Sequence, residues 1–90
     1  MNTVLIISKK SCGPCTALMN QIRSLSQEIQ EKISVLDEST SSLSELVDIA
    51  NSYDSSGFPT IVLKRDDNPE RVITGFGLKT LKIITDHVAN

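Results

Sequence analysis

The sequence changes its apolar rhythm at one place, and that place holds both of its cysteines. A continuous apolar run, Val4-Leu5-Ile6-Ile7, gives way to Ser8-Lys9-Lys10-Ser11-Cys12-Gly13-Pro14-Cys15, after which Leu18, Ile22, Leu25 and Ile29 recur at helical spacing. The unbroken run reads as a strand buried on both faces, and the spacing after it as an amphipathic helix. Pro14 suits the helix start, because a first-turn N–H has no intrahelical partner to lose. The helix is therefore predicted to begin inside the Cys12-Gly13-Pro14-Cys15 segment, which places both thiols at a strand-to-helix junction.

Farther along, Ile33-Ser34-Val35-Leu36 reads as a second strand and Ser39–Ser44 as a polar loop. Ser42-Leu43-Ser44-Glu45 has the form of a capping box, opening a helix expected to turn Leu43, Leu46, Val47 and Ala50 inward. Thr60-Ile61-Val62-Leu63 is a third strand, Asp66-Asp67-Asn68-Pro69 a turn, and Arg71-Val72-Ile73-Thr74 a fourth, antiparallel strand. A last helix is expected from about Leu78 to Val88. The order is βαβαββα, an α/β chain with a four-stranded mixed sheet flanked by three helices. Ninety residues favour one domain over 1–90 with one core. Hydrophobic residues at 39% can fill that core, but the only aromatics are Tyr53, Phe58 and Phe76, so aliphatic side chains must do most of the packing.

Charge narrows the partners. Nine basic against eleven acidic residues give a net charge of −2, which argues against a nucleic-acid footprint and against an anionic membrane surface. The run Val4–Ile7 is too short for a secretory h-region, and its lysines follow rather than precede it. The expectation is a monomer in a reducing cytosol, acting on proteins or small molecules. A disulfide staple would not persist there, so two cysteines at this spacing should be catalytic, redox-sensing or metal-binding. No GxGxxG follows a strand, and no cofactor is expected.

A cysteine just ahead of a helix meets unpaired N–H groups and the positive end of the helix dipole, both of which favour a thiolate. Cys12 stands there. The dipole contributes roughly 0.3–1 kcal/mol at an exposed site, less than the ~1.4 kcal/mol of one pKa unit, so closer donors must help. Pro14 offers none. The N–H and S–H of Cys15 are the best placed, with Lys9 and Lys10 adding a solvent-screened positive field. Cys12 is thus the candidate nucleophile and Cys15, predicted to be the more buried, the resolving thiol. A structural zinc site needs about four ligands, and beyond the two thiols the chain offers a single histidine, His87, near the far terminus. Two unreactive thiols in a tight turn are the remaining alternative.

Cys-Gly-Pro-Cys heading a helix after an apolar strand resembles the signature of thioredoxins. A second match is Ala50-Asn51-Ser52-Tyr53-Asp54-Ser55-Ser56-Gly57-Phe58-Pro59-Thr60, similar to the thioredoxin pattern A-x-x-Y-x-x-x-G-x-P-T. Together they cover nearly the whole chain and imply a minimal thioredoxin fold. By that resemblance Pro59 would be a cis-proline facing the disulfide, and the Phe58 backbone would pair with an extended substrate. Gly13 and Pro14 would face the same substrate, and Gly75, in Gly75-Phe76-Gly77, would leave room for a partner's backbone. The activity implied is dithiol reduction of protein disulfides, with a thioredoxin-reductase-type flavoenzyme as recharging partner.

Some features depart from that pattern. The chain begins at the strand before the cysteines, which resembles the shorter glutaredoxin architecture. Thr74-Gly75-Phe76 is similar to a segment of the glutaredoxin-like hydrogen donors of ribonucleotide reductase, which makes that enzyme an implied client. Ser11 stands where thioredoxins usually carry tryptophan, and Ile6 where they carry a buried aspartate. A glutathione-dependent glutaredoxin and a binding module with an incidental dithiol are the alternatives.

Overall fold

In a computed structural model, which describes all residues from Met1 to Asn90, the chain forms β1 (Asn2–Ile7), α1 (Gly13–Arg23), α2 (Gln27–Gln30), β2 (Ile33–Leu36), α3 (Leu43–Ser52), β3 (Thr60–Arg65), β4 (Asn68–Thr74) and α4 (Thr80–Ala89). The sheet order is β2-β1-β3-β4. β1 runs parallel to β2, with Val4 opposite Ile33 and Ile7 opposite Leu36, and antiparallel to β3. It is therefore covered on both sides as a central strand, as its unbroken apolar run requires. Alternation along β1 divides the core between the two faces of the sheet. Val4 and Ile6 join Leu18 and Ile22 of α1, Ile61 and Leu63 of β3, and Ile84 and Val88 of α4 in one cluster. Ile7 packs on the other face with Leu46 and Ala50 of α3. No helix is long and apolar enough to cross a membrane.

The structure corrects four expectations. The helical rhythm from Leu18 to Ile29 is two helices: α1 ends at Arg23, and Ser26 caps a separate turn by accepting the Ile29 N–H. Two serines in three residues, Ser24 and Ser26, offer local hydrogen bonds that compete with the helix. Four helical segments thus flank the sheet instead of three. In α3 the capping box of Ser42 and Glu45 is formed, and Leu46 and Ala50 are buried, but Leu43 and Val47 are exposed because the helix lays only a narrow stripe on the sheet.

β4 begins at Asn68, not Arg71, so the turn shrinks to Asp66-Asp67, both with positive φ. This is the geometry of a two-residue hairpin loop whose twist matches the strands. Pro69 is then a strand residue, tolerated because β4 is an edge and the register slips beside it, pairing Leu63 with Arg71 and Lys64 with Pro69. Finally, α4 starts at Thr80, two residues later than expected, and the Thr80 hydroxyl accepts the Gly77 N–H at 2.8 Å.

Candidate active site

Cys12 is the N-cap of α1, in extended conformation, with Gly13 and Pro14 following as the first helical residues. Its sulfur fills the role usually given to a serine or aspartate oxygen, accepting the Cys15 N–H at 3.2 Å. The first turn carries no acidic side chain, so nothing there offsets the positive helix end. The Cys12 carbonyl accepts the Thr16 N–H at 3.0 Å and the Thr16 hydroxyl at 3.1 Å, which fixes the turn below the sulfur. Cys12 and Cys15 form a disulfide with Cα atoms 5.2 Å apart. Cys12 is 8% exposed and Cys15 2%, so an incoming group meets Cys12 first.

The other predicted residues lie at various distances from this pair. The Phe58 carbonyl oxygen is 3.9 Å from Cys12 Sγ, the Phe58–Pro59 bond is cis, and Pro59 is buried. Gly75 donates its N–H to the Pro59 carbonyl at 2.8 Å, which joins the end of β4 to the same loop. Its φ of +85° favours glycine, while a Cβ there would meet open space. Gly13 and Pro14 are exposed beside Cys12. Lys9 and Lys10 are exposed as well, but they differ in what they touch. The Lys9 ammonium stands 5.5 Å from the centre of the Phe58 ring, in cation–π range, while the Lys10 backbone N–H donates to Glu38 Oε2 at 2.6 Å.

Comparison with known proteins bears on this geometry. The thioredoxin family model matches residues 2–89. The chain belongs to the thioredoxin family. A thioredoxin of Fasciola hepatica is 25% identical, with a TM-score of 0.71 over 96% of this chain and 80% of that one. Oxidised mitochondrial thioredoxin 3 of Saccharomyces cerevisiae is 26% identical, with a TM-score of 0.69 over 94% and 77% of the two chains. Thioredoxin f of spinach chloroplasts, at 19% identity, shares the fold with a TM-score of 0.74 over 99% and 77%. A search of curated sequences finds no match. With the thioredoxin fold and a cysteine pair at disulfide distance, the chain is a thiol–disulfide oxidoreductase.

Sequence reasoning missed what lies behind Cys15. A cavity of about 260 Å³ is lined by Cys15, Ser8, Lys10, Met19, Asp37 and Glu38 among others. The two carboxylates arrive from the end of β2, next to β1 in the sheet, so the parallel register of Ile7 with Leu36 is the signal that would have found them. Ile6 is fully buried and supplies no carboxylate to the resolving thiol. Asp37 does not replace one as a base, since the Ser39 hydroxyl and then the Ser39 N–H hold its carboxyl below the ordinary range. What the cavity offers Cys15 is room for solvent. No group of three or more His, Cys, Asp or Glu side chains is arranged to hold a metal ion.

Proposed function

We propose that the chain is a dithiol reductant of protein disulfides, recharged by a thioredoxin-reductase-type flavoenzyme with NADPH. The observation that carries the reading is the capped sulfur: Cys12 Sγ accepts the Cys15 N–H at a helix start with no acidic residue in its first turn. That arrangement stabilises a thiolate at Cys12, and the thiolate is the attacking species. In the reduced protein it attacks one sulfur of the client disulfide, forming a mixed disulfide and releasing the other client sulfur as a thiolate that takes up a proton. Cys15 loses its proton to solvent in the cavity behind it and attacks Cys12 Sγ. The client leaves as a dithiol, two electrons richer, and Cys12–Cys15 is left oxidised. The exposed Gly13-Pro14 turn and the Phe58–Pro59 loop flank Cys12 and are the surfaces against which a client segment would lie. Cytosolic clients, ribonucleotide reductase among them, fit this chemistry.

The second reading is a glutathione-dependent glutaredoxin, favoured by Lys9 and Lys10 at the active-site turn. Against it stands the segment Gly75-Phe76-Gly77-Leu78-Lys79, which brings no carboxylate for the glutathione amine, and the first turn of α4 contains no acidic residue. Two assays on one disulfide substrate test the choice, one with NADPH and thioredoxin reductase, the other with glutathione and glutathione reductase. Turnover in the first and little in the second is expected. The reverse pattern makes the chain a glutaredoxin in function, and turnover in neither makes it a binding module.

A further inference from the structure

Three hydroxyl side chains, the outermost nineteen residues apart in sequence, meet behind the Phe58 loop. Ser55 Oγ lies 2.6 Å from Thr60 Oγ1 and 2.7 Å from Thr74 Oγ1, and Thr60 Oγ1 donates to the Gly57 carbonyl at 2.7 Å. Each hydroxyl owns one hydrogen and the carbonyl owns none. Since Thr60 gives its hydrogen to Gly57, Ser55 must donate to Thr60, and Thr74 to Ser55. The direction is fixed from Thr74 through Ser55 and Thr60 to the Gly57 carbonyl. Ser55 approaches that carbonyl too, but only at 3.4 Å, and its one hydrogen is already committed to the shorter contact. Ser55 and Thr60 are 2% and 0% exposed, so the hydrogen bond between them is shielded from competing water, while Thr74 joins the chain from the exposed end of β4.

The hydroxyl chain ends on the residue before Phe58, and the residue after Phe58 is held from the other side, by the Gly75 N–H on the Pro59 carbonyl at 2.8 Å. Gly57 is what allows so close an approach, because a Cβ there would stand 3.0 Å from the Thr74 methyl group. Phe58 therefore lies between two pinned neighbours, with its carbonyl oxygen 3.9 Å from Cys12 Sγ. A carbonyl oxygen at that place can accept a thiol S–H and presents its negative end to a thiolate.

We propose that Ser55, together with Thr60 and Thr74, is a positioning residue of the dithiol site: the hydroxyl chain sets where the Phe58 carbonyl stands against the Cys12 sulfur. The inference rests on the reading of Cys12 as the attacking sulfur. Loosening the chain lets the carbonyl drift, which relieves the thiolate of an unfavourable dipole and makes Cys12 ionise more readily.

The test follows alkylation of the reduced protein by iodoacetamide against pH, with mass mapping of the labelled cysteine, in wild type, Ser55→Ala, Thr74→Val and Thr74→Ser. Thermal melts accompany each variant. Thr74 is exposed, so Thr74→Val keeps the test decisive if Ser55→Ala fails to fold. In Ser55→Ala and Thr74→Val the midpoint of Cys12 labelling should fall by about half a pH unit, a rate roughly threefold higher below the midpoint. Thr74→Ser, which keeps the hydroxyl, should follow the wild type. A folded Thr74→Val that labels along the wild-type curve would overturn the inference, as would preferential labelling of Cys15. No client or reductase enters the measurement. Variants that show these shifts, alongside a wild type that reduces no protein disulfide, would refute the proposed function alone.

Discussion

The two ends of the sheet are held by different means. At the end away from the cysteines, His87 Nε2 sits 3.1 Å from the Thr3 carbonyl and 2.9 Å from the Lys64 carbonyl, on neighbouring strands. Both partners only accept, so Nε2 carries the hydrogen and shares it between β1 and β3. Asn2 returns a hydrogen bond to the His87 carbonyl at 2.9 Å, and the Met1 ammonium pairs with Asp66 across the hairpin. At the cysteine end, no side chain bridges the carbonyls of two neighbouring strands; the charged contacts there, Glu38 on the Lys10 N–H and Lys9 over the Phe58 ring, join loops. Backbone amides, a chain of hydroxyls and a sulfur cap hold the rest, and they leave Cys12 the less buried of the two thiols, beside the exposed Gly13-Pro14 turn. One end fastens strands to a helix; the other holds a sulfur just under the surface among loops.

If the ends are that distinct, substitutions should separate chemistry from stability. The largest effect belongs to the cysteines. Cys12→Ser should lower insulin-disulfide reduction to background, whereas Cys15→Ser should still attack and accumulate mixed disulfides with clients, visible on non-reducing gels. Trapping by Cys12→Ser in place of Cys15→Ser would exchange their roles.

The next effect is at the opposite end. His87→Ala removes the shared donor of two strand carbonyls and should lower the unfolding free energy by about 1–3 kcal/mol, measured by denaturant titration. Cys12 alkylation should stay at the wild-type rate, and a change there would show that the two ends are coupled. Smallest is Lys9→Ala. An exposed ammonium near the Phe58 ring contributes through a screened field, so Cys12 alkylation should slow by less than about twofold at physiological salt and not at all at 1 M. A larger effect that survives high salt would promote Lys9 from background field to direct partner of the sulfur.

What could be read from the sequence follows the range of the interactions involved. The junction at Cys12–Cys15 was legible because it is local: an apolar run, a proline fit for a first turn and two thiols at reach of each other. The capping box at Ser42–Glu45 is local in the same sense, and it formed as read. The helix break at Ser24–Ser26 is also local, but helical spacing of Leu18, Ile22, Leu25 and Ile29 masked it, since a short turn can keep apolar residues in phase across the interruption. Leu43 and Val47 follow the helical period yet stay exposed, because periodicity marks a stripe and not its width. The meeting of Ser55, Thr60 and Thr74, and of Asp37 and Glu38 with the cavity behind Cys15, depends on strand register. No spacing in the chain reports it.

Pro69 and the slipped register beside it carry a consequence for crowded solution. An open sheet has two borders where another chain can add by hydrogen bonding, and copies of one protein present the same borders to one another. Here one border is β2, only four residues long. The other is β4, where Pro69 has no N–H to give, Glu70 falls out of register, and Asn68 to Arg71 are all exposed and mostly polar. Neither border offers a continuous row of donors and acceptors, so the molecule is shaped to resist edge-to-edge aggregation at high concentration, and replacing Pro69 with a β-branched residue is the change most suited to remove that protection.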